Sequence, residues 1–141
     1  MTVKSFVDTN ILVYAYDRSA GEKHVTARHL LEELWKSGDG ILSTQVLQEF
    51  YVNARRKADK PVSARSARSL IADYLVWDPI VNDGTSVLDA IDVERRFKIS
   101  FWDALIVVAA QTGGADILLS EDFSHGRKFG DVEVVNPFAG G

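Results

Sequence analysis

The sequence predicts an α/β fold, a three-layer α/β/α sandwich built on a mainly parallel sheet. Three observations carry this expectation. Apolar runs too short for helices stand at residues 5–8, 41–42 and 116–120. Segments with apolar residues near helical period lie between them. Within 116–120, Ile117-Leu118-Leu119 is continuously apolar, as in a strand covered on both faces.

In chain order, residues 5–8 read as a buried strand, Thr9-Asn10 as a turn, and 11–16 as one or two helical turns. Residues 22–35 place Val25, Ala27, Leu30, Leu31, Leu34 and Trp35 near helical period, and Gly38-Asp39-Gly40 ends that helix. Ile41-Leu42 is the second strand. A helix over 45–57 carries Val46, Leu47, Phe50, Tyr51 and Ala54 on its apolar side and stops at Lys60-Pro61. Ser63 caps a helix over 63–75. Residues 77–81 read as a strand, at an edge because Pro79 has no N–H to donate. A helix runs from Gly84-Thr85 to Phe97. Ser100 caps the next, over 102–111, and Gly113-Gly114 stops it. After strand 116–120 come a loop over 121–130 and a last strand over 132–135. No repeat, linker or low-complexity segment interrupts this order.

The length of 141 residues favours one domain spanning 1–141. The absence of cysteine excludes disulfides and thiolate zinc sites and suits the cytoplasm. His24, His29 and His125 form no HExxH spacing. The first residues lack the apolar core of a secretory signal, and no apolar run is long enough to span a membrane. A net charge of −4 argues against generic, strong nucleic-acid binding. Basic residues nevertheless gather at Arg55, Arg56, Lys57, Lys60, Arg65 and Arg68, opposed only by Asp59. That segment reads as a solvated helix face or as a local phosphate-binding patch.

Four acids stand where elements begin or end: Asp8, Glu49, Asp103 and Asp122. Each has an ordinary structural reading. Asp8 before Thr-Asn suits an Asx-turn or N-cap. Glu49, on a helical stripe with Gln45, Asn53 and Arg56, suits a solvent-facing position. Ser100-Phe101-Trp102-Asp103 fits an S-x-x-D cap. Asp122 suits a polar loop, where Glu121 is its nearest competitor. In an open parallel sheet, ligands bind beyond the carboxyl ends of the strands. Asp8 and Asp122 follow strands, and Glu49 and Asp103 lie early in helices that start near the same edge. Brought together, unpaired carboxylates repel, and a divalent cation removes that penalty. Oxygen ligands alone suit Mg2+ or Mn2+ over zinc.

With these residues in view, Phe6-Val7-Asp8-Thr9-Asn10, Glu49, Phe101-Trp102-Asp103-Ala104-Leu105-Ile106 and Leu119-Ser120-Glu121-Asp122 resemble the PIN-domain nucleases. Gly126 and Val135-Asn136-Pro137-Phe138 look most like the VapC-type toxins of toxin–antitoxin pairs. The resemblance implies a parallel five-stranded sheet and a Mg2+- or Mn2+-dependent endoribonuclease. It implies metal ligation by Asp8, Glu49, Asp103 and Asp122, with Thr9, Asn10 and Ser120 in support. It also implies a homodimer and a small antitoxin partner.

The expected chemistry is hydrolysis of an RNA phosphodiester by a metal-activated water, with Arg55, Arg56 and Lys57 guiding the backbone. A haloacid-dehalogenase-like enzyme would need a second acid at position 10, where Asn10 stands. The paired acids of a receiver domain are missing. The remaining alternative is a PIN-like module that binds RNA or protein without cutting. Trp35, Trp77 and Trp102 read as core or interface residues, Trp102 also as a residue of the cleft.

Overall fold

The structure is a computed structural model that describes residues 3–56 and 61–139. Among the described residues five strands form one sheet in the order β2-β1-β3-β5-β4. They are β1 (Ser5–Val7), β2 (Gly40–Ile41), β3 (Ile117–Leu119), β4 (Lys128–Phe129) and β5 (Val132–Val135). Strand β1 pairs in parallel with β2 and β3, and β3 pairs in parallel with β5. Only β4 runs antiparallel, against β5. The α/β class and the mainly parallel sheet are as expected.

Among the described residues there are six α-helices: α1 (Thr9–Tyr16), α2 (Glu22–Ser37), α3 (Thr44–Ala54), α4 (Ala64–Tyr74), α5 (Gly84–Phe97) and α6 (Phe101–Thr112). Their starts follow local chemistry. Ser43, Ser63 and Ser100 sit in extended conformation, and each hydroxyl accepts from a backbone N–H of the first turn. Asp83 and Ser86 close a reciprocal capping box on α5. Helix α2 buries Ala27, Leu31 and Leu34 at helical spacing, while Val25 faces solvent. Gly38, at φ +77°, donates its N–H to Leu34 O and ends that helix in the left-handed conformation glycine favours. Helix α6 is buried continuously from Ala104 to Ala110, so it is a central element.

The core joins the inner strands to all sides of this frame. Phe6, Val7, Leu118 and Val134 are fully enclosed or nearly so, together with Ile11, Leu12, Val46, Phe50 and Val107. An aromatic cluster closes one end: Trp35, Tyr74 and Trp77 stack within 4.9–5.3 Å of one another. Gly40 admits this cluster to the sheet, because a Cβ there would meet the Trp77 ring at 2.4 Å.

Four expectations are corrected. Thr9-Asn10 is no separate turn: Asp8 is the N-cap, and α1 begins at Thr9. Residues 77–81 form no strand. Leu75–Trp77 is a 3-10 turn, Asp78 is left-handed at φ 53°, and only Ile80 bridges to Ser43. The remaining strand is β4, inside the expected loop over 121–130, joined to β5 through Gly130 at φ +63°. Helix α3 also ends earlier than expected: it stops at Ala54, Arg55 is its C-cap and Arg56 lies in a turn, while Lys57 lies outside the described residues.

Candidate active site

The sheet order reverses at β1. From β1 the chain crosses to β2 on one side; β3 lies on the other, and the chain continues outward from it to β5. The crevice between the carboxyl ends of β1 and β3 is therefore a topological switch point, the usual ligand position of an open α/β sheet. Asp8 follows β1, and Ser120, Glu121 and Asp122 follow β3.

Asp8 is buried and held on both oxygens. Oδ1 accepts the Thr9 N–H at 2.7 Å, and Oδ2 accepts the Ser120 hydroxyl at 2.7 Å. Asn10 Nδ2 approaches Asp8 Oδ2 at 3.3 Å, Ser120 Oγ at 3.3 Å and Asp122 Oδ2 at 3.0 Å. One neutral amide thus spans two acids. Asn10 Oδ1 in turn accepts the Glu121 N–H. The Thr9 hydroxyl donates to Glu49 Oε1 at 2.7 Å, and Gln45 Nε2 lies 3.4 Å from Glu49 Oε2. Gln45 Nε2 also donates to the carbonyl of Trp102, which ties α3 to the first turn of α6. The Ser100 hydroxyl accepts the Asp103 N–H as the helix cap, and by hydrogen bonding to the Asp103 carboxylate it also lowers that group's pKa against the rise caused by burial.

All four candidate acids line one open pocket of about 390 Å³, with Thr9, Asn10, Tyr14, Gln45, Asn53, Trp102 and Glu121. The acids act on one another. Burial pushes the Asp8 carboxyl from 3.8 up to about 7, and the charges of Asp122 and Glu49 add to it against the hydrogen bonds from Ser120 and Thr9. Burial also raises Asp103, again reinforced by Asp122 and Glu49.

Glu121 and Asp122 have different neighbours. Glu121 takes the Tyr14 hydroxyl at 2.6 Å and pairs with Lys23 at 2.8 Å. The Lys23 ammonium also lies over the rings of Tyr14 and Phe138. Asp122 is exposed at the pocket mouth, and its carboxylate engages only Asn10 among the described side chains. Gln45 and Tyr14 are contributors that sequence reasoning missed. Gln45 shared a stripe with Glu49, but no spacing signalled its second contact.

The donor set is chemically suited to a hard divalent cation: oxygen donors of Asp8, Glu49, Asp103 and Asp122 around one pocket, two of them destabilised as anions. Among the described residues no three acidic or histidine side chains stand at the spacing of one shared ion. The chain's own Thr9, Asn10, Gln45 and Ser120 hold the carboxylates in their present positions.

The chain belongs to the PIN domain family, which it matches over residues 5–128. Mycobacterium tuberculosis VapC20, a sarcin-ricin loop cleaving toxin, has a similar structure at TM-score 0.58 and 22% identity, over 81% of this chain and 86% of that one. VapBC2 from Rickettsia felis, bound to a DNA fragment from its promoter, is similar at TM-score 0.60 and 18% identity, over 92% and 96%. Identities this low speak for the shared fold. No curated protein sequence is significantly similar to the chain.

Proposed function

We propose that the protein is a Mg2+- or Mn2+-dependent endoribonuclease, the toxin of a toxin–antitoxin pair. The observation that carries this reading is the convergence of Asp8, Glu49, Asp103 and Asp122 on one pocket at the switch point of a PIN domain. These four side chains would hold the ion. A bound divalent ion supplies a water of lowered pKa and neutralises charge on the phosphoryl oxygens.

The protein's part is to position and to exclude. Asp8 is immobilised by three donors, so its orientation does not depend on a ligand. Thr9 fixes Glu49 and thereby couples α1 to α3. A water in line with the scissile bond adds to phosphorus, the P–O3′ bond breaks, and the products are a 5′-phosphate and a free 3′-hydroxyl. Arg55 and Arg56 are exposed beyond Asn53 at the end of α3, where they suit the RNA backbone. Lys57 lies outside the described residues.

The partner set follows the family likeness: RNA as substrate, a small antitoxin protein, and a second copy in a homodimer, in the cytoplasm. Among the described residues no helix is long and apolar enough to cross a membrane. We treat residues 1–141 as one nuclease domain.

The test is cleavage of total RNA by wild type and Asp8→Asn, with and without Mg2+ or Mn2+. Metal-dependent cutting that the substitution abolishes, with 5′-phosphate ends, is expected. Equal cutting by both proteins, or 2′,3′-cyclic phosphate ends, would overturn the reading.

A further inference from the structure

Helix α6 buries every residue from Ala104 to Ala110, yet Trp102 in its first turn is 65% exposed. The indole lines the acidic pocket, one residue before Asp103. The Phe101 ring meets it edge-on at 5.4 Å and 75°, and its carbonyl accepts from Gln45, the side chain that also reaches Glu49. The backbone of Trp102 and the carboxylate of Glu49 thus share the Gln45 side chain.

The pocket itself gives a phosphate chain no cationic partner. Among the described residues lining it there is no lysine or arginine, and Lys23 at its edge is already paired with Glu121. Affinity that is independent of charge must come from elsewhere. Every nucleobase has a π-face, and stacking on an aromatic side chain supplies such affinity without regard to the backbone charge.

Resting on the ribonuclease reading, we propose that Trp102 is the stacking platform for one unpaired base beside the scissile phosphate. The substrate is then RNA that is single-stranded at the cut. A base inside a duplex is already stacked on both faces and reaches such a platform only after unstacking. Removing the indole leaves the backbone contact to Gln45 in place, so Trp102→Ala separates stacking from the geometry of the acids.

The experiment uses the Asp8→Asn protein, so that RNA is bound and not cut. Binding of labelled single-stranded oligo(A) and oligo(U) of equal length is followed by fluorescence anisotropy at several salt concentrations. Trp102→Ala is expected to weaken oligo(A) binding by about 5- to 150-fold, the range one stacked base contributes. The salt slope stays unchanged, because the same phosphates remain neutralised. Trp102→Phe retains most of the affinity. An abasic nucleotide at the contact position costs the parent a similar factor and costs Trp102→Ala nothing. Equal affinities for parent and Trp102→Ala would overturn the proposal. So would a Trp102→Ala protein that turns from dimer to monomer in light scattering while its RNA affinity per site is unchanged, which would assign the indole to a second copy. If intact protein still cuts RNA with Mg2+ in either case, the nuclease reading survives and only the platform fails. If nothing is bound and nothing is cut, both fail.

Discussion

Replacing Asp8 by asparagine should stabilise the protein at neutral and alkaline pH. The folded carboxyl sits near 7 against an ordinary 3.8, a difference equivalent to about 4 kcal/mol. The sign follows from proton binding. Between those two values the folded state holds a proton that the unfolded state has released. The Asp8 contribution to stability is therefore greatest at low pH, falls as pH rises from about 4 to about 7, and stays low above that. Asparagine is neutral throughout and has no such slope. It carries its own cost: one acceptor oxygen becomes an NH2 facing the Asn10 amide, which offsets about 1–3 kcal/mol. The net expectation at about pH 8 is a gain of about 1–3 kcal/mol, or about 2–4 °C in Tm for each kcal/mol. The assay is urea and thermal unfolding of both proteins across this pH range in the presence of a chelator. The wild-type curve should descend with pH more steeply than the Asp8→Asn curve, which keeps the slope contributed by the raised Asp103 carboxyl. Parallel curves would refute the reasoning, because they would mean that Asp8 titrates alike in both states. Added Mg2+ should restore more stability to the wild type than to Asp8→Asn, which keeps only three of the four carboxylates.

Further perturbations address single contacts. Thr9→Val removes the hydroxyl that holds Glu49, and apparent Mg2+ affinity in a cleavage titration should fall by about 10- to 100-fold. Ser120→Ala deletes a donor that lowers the Asp8 pKa, so the Asp8 carboxyl titration seen by metal-free NMR should move upward. Gly40→Ala drives a methyl into the Trp77 ring and should cost about 1–3 kcal/mol of unfolding free energy in urea titrations. Reversing charge at Arg55 and Arg56 should weaken RNA binding and reduce the salt slope by about one unit for each phosphate no longer neutralised; an unchanged slope would leave both as solvated surface.

The parts of the site that were legible in the sequence are those written locally. Asp8 follows a strand-length apolar run directly, and its capping role coexists with its place in the pocket. Ser100 and Asp103 declare a helix start by spacing alone, and the structure shows the cap spending a backbone N–H while the carboxylate remains in the pocket. What could not be read depends on partners distant in sequence. Glu121 and Asp122 differ because Tyr14 and Lys23 reach the first and Asn10 reaches the second. Residues 77–81 carry strand-like side chains, yet Trp77 is drawn down onto Gly40 and Pro79 cannot extend a ladder. Strand β4 is two residues long, below the length at which alternation has meaning, and exists because β5 offers it an edge.

The bond from Ser120 to Asp8 joins residues 112 positions apart. A chain synthesised from its N-terminus has Asp8, Thr9 and Asn10 in hand early, but these remain without their counterpart until the segment around Ser120 has been translated and has paired beside β1. Assembly of the pocket is thereby deferred to a late stage of translation. A nascent chain carries all six described α-helices before it carries Ser120 and Asp122, so the acids of the pocket gather only near the end of synthesis.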